Sequence, residues 1–144
     1  MAHQFWQLYV HVVWSTKNRS NILRNQLELV VHDAIRDTVR ELEMIPICVN
    51  SAWNHTHSLI SWNPTVSVEN GIEKIKNQSV EKWNQTRHDK GLWEPKLEWQ
   101  RGWAAFSVSP GKVEFAKSYV ANQKSLHLDG RIIERYETLK GELS

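Results

Sequence analysis

Apolar and polar residues alternate at the start of the chain with a period of two. The segment from Phe5 to Ser15 is rich in β-branched and aromatic residues, and this alternation predicts a strand with one apolar face. That face would carry Trp6, Leu8, Val10, Val12 and Trp14. The opposite face would carry Gln7, Tyr9 and His11, which suits an open or functional surface.

Three further stretches show helical signals. Between Asn25 and Leu42 the apolar residues recur every three or four positions, which predicts an amphipathic helix. Ser67 could cap a second helix that runs to about Gln85. Ser109 followed by Pro110 is a typical helix start, and this third helix would run to about Gln123. From Asp129 onward, spaced apolar residues favour a fourth helix.

Short β-leaning segments lie between these helices. Pro46 to Asn50 and His55 to Trp62 form a predicted hairpin, and Glu98 to Ser107 a further strand or strand pair. The order is βαββαβ, which predicts an α+β, ferredoxin-like antiparallel sheet with two helices on one face. The additional C-terminal helix, which bears Tyr119, could cover the other face. We expect one domain over residues 1–128 and a helical tail over residues 129–144.

The composition excludes several classes of protein. The chain has 144 residues, a formal net charge of +2 and ordinary globular content, and no apolar run approaches the ~20 residues of a membrane span. A single cysteine, Cys48, excludes an internal disulfide and a thiolate zinc cluster, so a cytoplasmic setting is expected. Cys48 itself is expected in the core. The unusual feature is eight tryptophans.

His55 and His57 form the sharpest candidate site. Residues i and i+2 of a strand point to the same face, so the two imidazoles would sit side by side on the face away from the helices. Such a pair is half of a metal site. The alternative is a pair of solvent-exposed or hydrogen-bonded sheet histidines.

Tyr119 and Gln123 are spaced four apart, so both would lie on one face of the third helix. Because Val113, Ala116 and Val120 already bury that helix, the alternative is a rim tyrosine with a solvated glutamine. A phenol is a poor nucleophile near neutral pH, so its attack on a phosphodiester requires help from a Lewis acid. Two histidines and a glutamine carbonyl are neutral ligands that would leave the ion its full charge. This chemistry requires the third helix to lie across the histidine face.

Basic and aromatic residues suggest a nucleic-acid surface. The net charge alone is weak, but cations cluster near the proposed site and on the second helix. The candidate DNA-binding residues are Lys17, Arg19, Lys74, Lys76, Arg87, Arg101 and Lys112. Each cluster could equally be a solvated face. Five tryptophans could stack on unpaired bases, namely Trp53, Trp83, Trp93, Trp99 and Trp103. Trp6, Trp14 and Trp62 are expected in the core.

Four segments together resemble the single-tyrosine HUH transposases of the insertion-sequence type, including the REP-associated tyrosine transposases. These segments are VHVVWSTKNR, NHTHSLI, WQRGWAAFSVSP and KSYVANQ, and the resemblance runs from about Phe5 to His127. It implies that Tyr119 is the nucleophile and that His55, His57 and Gln123 bind Mg²⁺ or Mn²⁺. It also implies a homodimer without membrane association, located in the cytoplasm at the nucleoid.

The activity implied is a metal-dependent single-stranded DNA endonuclease and strand transferase that forms a 5′-phosphotyrosine beside a DNA hairpin. Asn54 and Thr56 stand where the family commonly has aspartate and an apolar residue. They leave open a domesticated descendant that binds hairpins without cutting. An RNA-binding module is a further alternative, because the same βαββαβ order serves RNA recognition through aromatic residues on an open sheet.

Overall fold

The computed structural model describes residues 3–130, and these residues form four strands and four helices. The strands are β1 (Tyr9–Ser15), β2 (Ile45–Ser51), β3 (His55–Ser61) and β4 (Ala104–Val108). The helices are α1 (Asn25–Glu41), α2 (Val68–Asp89), α3 (Val113–Ala121) and α4 (Gln123–Asp129). Short 3₁₀ turns cover Lys17–Arg19 and Pro110–Lys112.

The strands form one antiparallel sheet in the order β2-β3-β1-β4. The register pairs Val13 with His57 and Ser15 with His55 across the two central strands. A β-bulge between Pro46 and Cys48 interrupts the pairing of β2 with β3. The order and directions are those of the predicted ferredoxin-like α+β fold, which is confirmed.

One face of the sheet carries the main hydrophobic core. Val12 and Trp14 of β1 and Ile60 of β3 pack there against the apolar stripes of α1 and α2. Thr56 and Ser58 of β3 share this face and are fully buried, as the alternation predicted. Ser67 caps α2 by accepting a hydrogen bond from the Asn70 backbone at 3.0 Å, so the helix begins at the predicted residue.

The opposite face is covered by α3. Ala116 and Val120 of this helix pack with Leu59 of β3 and Val108 of β4 in a second, smaller apolar cluster. Cys48 lies at the edge of that cluster and is only partly buried, so its expected core position is met in part; burial still raises the pKa of its thiol. The helix therefore lies across the face on which His55 and His57 were expected.

Several boundaries differ from the expectations. The first strand begins at Tyr9, and Trp6 and Leu8 before it are 46% and 42% exposed, so the core position expected for Trp6 is wrong. The second helix runs on to Asp89, beyond Gln85. The third helix ends at Ala121, close to the expected Gln123, and the short helix α4, which was not expected, follows it.

The fourth helix and the tail expected from Asp129 onward fall almost wholly outside the described residues. Within residues 3–130, no helix has both the length and the apolar character needed to cross a membrane.

Candidate active site

His55 and His57 lie side by side on β3, on the face that α3 covers. Their ring centroids are 5.0 Å apart, and both side chains are almost completely buried. The alternative of solvent-exposed histidines is therefore wrong for this pair.

Each of the two rings has a partner for its Nδ1 atom. Nδ1 of His55 donates to Oδ1 of Asn54 at 2.7 Å, since an amide oxygen can only accept. Nδ1 of His57 shares a 2.7 Å hydrogen bond with Nε2 of His11, which is itself fully buried on β1. Such contacts fix ring orientation, and in the tautomer that carries its hydrogen on Nδ1 the metal-binding nitrogen would be Nε2.

His11 was placed by sequence alternation on the functional face but was not assigned a role. Only strand pairing could reveal its neighbour, because β1 and β3 are far apart in sequence. Its ring also lies 6.4 Å from the ring of Tyr119 and 6.0 Å from that of Phe106.

Tyr119 is brought to the histidines by the last turn of α3. Its ring centroid lies 5.9 Å from that of His57, in an edge-on arrangement, and the side chain is 5% exposed. Gln123 is fully buried at the start of α4, and its Nε2 donates to the backbone oxygen of Tyr119 at 3.0 Å. The rim tyrosine and solvated glutamine of the alternative interpretation are thus absent from these positions.

His127, one turn after Gln123 on α4, adds a third imidazole that the sequence analysis missed. Its ring centroid is 4.9 Å from that of His55. One ligand atom each of His55, His57 and His127 can be chosen so that all lie within 4.8 Å of one another. The signal available in sequence was the four-residue spacing from Gln123, which places both side chains on one helix face.

A polar network anchors α4 to the rest of the fold. Lys124 donates to the Glu28 carboxylate and, at 3.2 Å, to the backbone oxygen of Ser51. The Ser51 hydroxyl donates to the same carboxylate at 2.6 Å and accepts from Nε2 of His32 at 3.0 Å. Burial lowers the pKa of His32 to about 4, so this ring is neutral at physiological pH.

The predicted DNA-binding cations occupy different environments. Lys17, Arg19, Lys74, Arg101 and Lys112 are exposed. Lys76 is instead buried, and its ammonium donates to the backbone oxygens of Gln100 and Gly102 at 3.0 and 3.1 Å. Arg87 is half-buried and donates to the Glu94 backbone oxygen.

Three of the exposed cations lie near the end of β1 that faces His55. The backbone of Thr16 donates to the oxygen of Asn54, and that of Gln100 donates to the oxygen of Ser15. These two bonds hold the turn with Lys17 and Arg19, and the segment with Arg101, beside the residues that lead into His55. One of these cations, Lys17, forms an exposed ion pair with Glu98 at 3.1 Å.

The tryptophans also differ in how far they are exposed. Trp83 is fully buried and donates to the Pro95 oxygen at 2.9 Å, so the stacking role expected for it is wrong. Trp99 and Trp103 are partly buried against the main core. Trp53 is half-buried beneath Lys124, whose nitrogen is 5.6 Å from its ring centre. Trp93 is fully exposed and remains a candidate stacking surface.

The fold is that of transposase structures. A protein from Deinococcus radiodurans assigned as a transposase aligns with a TM-score of 0.67 and 17% identity, covering 86% of this chain and 96% of that one. A REP-associated tyrosine transposase bound to a REP hairpin aligns with a TM-score of 0.59 and 13% identity, covering 92% of this chain and 76% of that one.

Sequence comparison adds the family. The model described as "Transposase IS200 like" matches residues 4–123, which is most of the chain. The protein therefore belongs to the IS200-like transposase family. Among curated proteins, none matches its sequence.

Proposed function

We propose that this protein is a metal-dependent single-stranded DNA endonuclease and strand transferase in which Tyr119 is the nucleophile. The observation that carries the proposal is the convergence of Tyr119 with His55 and His57 in one buried cluster. The three side chains come from two distant segments of the chain. A role in core packing would account for a buried tyrosine at this place, but not for the two histidines that face it.

The donor set fits a divalent ion such as Mg²⁺ or Mn²⁺. Nε2 of His55 and of His57 would hold it, together with Oε1 of Gln123. When bound, the ion would supply Lewis-acid stabilisation of the charge that develops on the phosphate oxygens. All of these ligands are neutral, so they would leave its charge undiminished. Asn54 and His11 keep the two imidazoles in the orientation that this role requires.

The reaction exchanges one phosphoester for another. The Tyr119 hydroxyl loses its proton and attacks the phosphorus, and the bond from phosphorus to the 3′ oxygen of the preceding nucleotide breaks. That oxygen takes up a proton to become a free 3′-hydroxyl, and the 5′ phosphate stays on the tyrosine. Because the energy of the ester is retained, a 3′-hydroxyl can later attack the phosphotyrosine and rejoin DNA without an external energy source.

The substrate we propose is single-stranded DNA next to a hairpin. This rests on the relative that was solved with a REP hairpin and on the exposed cations beside the site. Lys17, Arg19 and Arg101 would contact phosphates near the scissile position, with Lys74 and Lys112 further along the surface. Trp93 would stack on an unpaired base. Arg87 and Lys76 are engaged with backbone oxygens and would contribute less.

We further propose that the protein acts as a homodimer, as the family resemblance implies. The sheet face that an RNA-binding module would need is covered by α3 and the histidine cluster in residues 3–130. This arrangement favours DNA chemistry over RNA recognition by an open sheet.

The test uses single-stranded DNA hairpins taken from the flanks of the gene, incubated with Mg²⁺ or Mn²⁺. A denaturing gel and peptide mass spectrometry should reveal a covalent DNA adduct on Tyr119. The adduct should be absent with EDTA, in Tyr119→Phe and in His57→Ala, and should persist in the matched control Tyr9→Phe.

Two outcomes would redirect the proposal. Hairpin binding without an adduct, with both metals and several hairpins, would point to the descendant that binds without cutting. An adduct on Tyr9 or Tyr136 would contradict the assignment of the nucleophile.

A further inference from the structure

The third imidazole at the site has no place in the mechanism above. His127 lies on α4 four residues beyond Gln123, and the family match ends at residue 123. His127 therefore lies outside the segment that the family model matches. We propose that His127 is an additional metal ligand, which makes the site a three-imidazole centre selective for Mn²⁺, Co²⁺, Ni²⁺ or Zn²⁺ over Mg²⁺. This inference rests on the proposed metal site.

The geometry places His127 with the other two histidines. Its ring centroid is 4.9 Å from that of His55, nearly the same as the 5.0 Å between His55 and His57. The three ligand atoms fall within 4.8 Å of one another. Two nitrogens bound to one zinc-sized ion lie about 3 Å apart, given metal–nitrogen bonds of about 2.1 Å. Binding of the ion would draw the ligand atoms together through rotation of the side chains.

The orientation of the His127 ring also suits ligation. Its Nε2 lies 3.2 Å from Oε1 of Gln123, and because an amide oxygen only accepts, the ring nitrogen is the donor. The 3.2 Å between Nε2 and Oε1 is close to the spacing of about 3 Å between neighbouring ligand atoms of one ion, so Nε2 becomes the ligand atom once its proton moves to Nδ1. His55, His57 and His127 would then all bind the ion through Nε2.

Gln123 remains compatible with its proposed role. When the ion binds, Oε1 of the Gln123 amide would exchange the hydrogen bond from His127 for a bond to the ion. Its Nε2 is held by the Tyr119 backbone oxygen, which fixes the direction of the amide. The protein would then offer three nitrogens and one oxygen to the ion.

This ligand set predicts the metal preference. Imidazole nitrogen favours zinc, nickel and other transition ions, whereas Mg²⁺ prefers carboxylate, carbonyl and water oxygens. Among the described residues the cluster contains no carboxylate. Affinity should therefore rise from Mg²⁺ through Mn²⁺ and Co²⁺ to Ni²⁺, and the third histidine should steepen that rise.

The test measures metal binding by the full-length protein without DNA. Mn²⁺ is followed by the loss of its free EPR signal and Co²⁺ by its visible absorption. Removal of an outer-shell partner alone typically costs about 10–100-fold in metal affinity, so His127→Ala should weaken Co²⁺ binding at least tenfold. The effect on Mg²⁺ should be much smaller. His88→Ala, an exposed histidine on α2, is the matched control and should bind as the unmodified protein does.

A second measurement separates ligation from orientation of Gln123 and needs no variant. In ¹⁵N spectra of the unmodified protein, Zn²⁺ should move an imidazole nitrogen of three histidines, one of them His127. Unchanged Co²⁺ affinity in His127→Ala, or a shift of only His55 and His57, would overturn the inference and leave the proposed function intact. Binding through three histidines without any DNA adduct would support the inference and contradict the proposed function. No metal binding even in the unmodified protein would overturn both.

Discussion

Lys74 and Lys76 lie two residues apart on α2, and their surroundings give them different roles. Lys74 is exposed, whereas the buried ammonium of Lys76 donates to two backbone oxygens of the segment that precedes β4. Removing Lys76 would leave two carbonyl oxygens without that donor, and hydrogen bonds to charged groups are worth about 1.5–3 kcal/mol each.

We expect Lys76→Ala to lower the free energy of unfolding by about 2–3 kcal/mol, measured by urea denaturation. Lys74→Ala should stay within about 0.5 kcal/mol of the unmodified protein and should instead weaken binding of hairpin DNA. Equal stability of the two variants would contradict the structural role assigned to Lys76.

His32 gives the protein a second residue-scale property, a dependence of stability on pH. Its pKa is about 4 in the folded protein because it is buried, against about 6.5 in the unfolded chain. The unfolded chain therefore binds the proton more readily, and the stability due to this group is complete above pH 6.5 and is lost as the pH falls towards 4.

Between pH 7 and pH 5 the loss should reach about 2 kcal/mol in the free energy of unfolding. Denaturation curves of the unmodified protein and of His32→Asn, compared across this range, isolate the contribution of His32. A difference between the two proteins that does not change with pH would contradict it.

The sequence predicted those site residues that a local spacing pattern brings to one face of a strand or helix. His55 and His57 share a strand face, and Tyr119 and Gln123 are one helical turn apart, so both pairs follow from periodicity. His11 could not be found in this way, because its closeness to His57 depends on strand pairing. The four-residue spacing of His127 from Gln123 indicates a shared helix face, but its closeness to His55 depends on the placement of α4. The stacking role considered for Trp83 was wrong, because its spacing from Ile72 and Ile75 places it on the inward face of α2.

At the scale of elements, α2 packs closely on the end of β3 through Gly71. A Cβ atom added at Gly71 would lie 2.6 and 2.9 Å from two ring carbons of Trp62. That ring is buried and is held by a hydrogen bond from its Nε1 to the Val66 oxygen at 2.8 Å. The helix cannot approach the strand in this way with a larger residue.

Gly71→Ala should therefore destabilise the fold by about 1–2 kcal/mol, even though alanine favours helices by about 1 kcal/mol over glycine. Gly111→Ala is the control, since an added Cβ there meets nothing within 4 Å. Urea denaturation of the two variants provides the comparison, and a Gly71→Ala protein at least as stable as the unmodified one would refute the close contact.

The helices were predicted better than their ends. The stripe from Asn25 and the Ser67 cap are local signals, and both locate α1 and α2 well. The end of α3 was expected within about two residues, but α4 was not, because no glycine or proline between Tyr119 and His127 marks the break between the two helices. The break depends instead on distant partners, such as the 2.9 Å hydrogen bond from Asn50 of β2 to the Ala121 oxygen.

At the scale of the whole molecule, one chain assembles both halves of the proposed site. The Tyr119 ring lies beside His57 of its own chain, at 5.9 Å between centroids. We therefore expect a mixture of Tyr119→Phe and His57→Ala proteins to form no covalent adduct with hairpin DNA, because neither chain has both groups. Adduct formation in the mixture, scored on a denaturing gel against each variant alone, would show that protomers exchange their tyrosine helices.

The overall topology was predictable because its element order is characteristic, and the family match over residues 4–123 agrees with it. The course of the chain beyond Asn122 was not, since a short helix can pack on several surfaces. The Lys124 contacts to Glu28 and Ser51 place α4, and a sequence pattern does not reveal contacts of that separation.

The two faces of the sheet perform separate tasks. The face towards α1 and α2 holds the large apolar core, and the face towards α3 holds the imidazoles and a small apolar cluster. Substitutions can therefore change one face without disrupting the other. A lineage that loses a histidine or the tyrosine would lose the proposed cleavage and still keep the folded core, which makes this architecture an easy starting point for recruitment to new cellular duties.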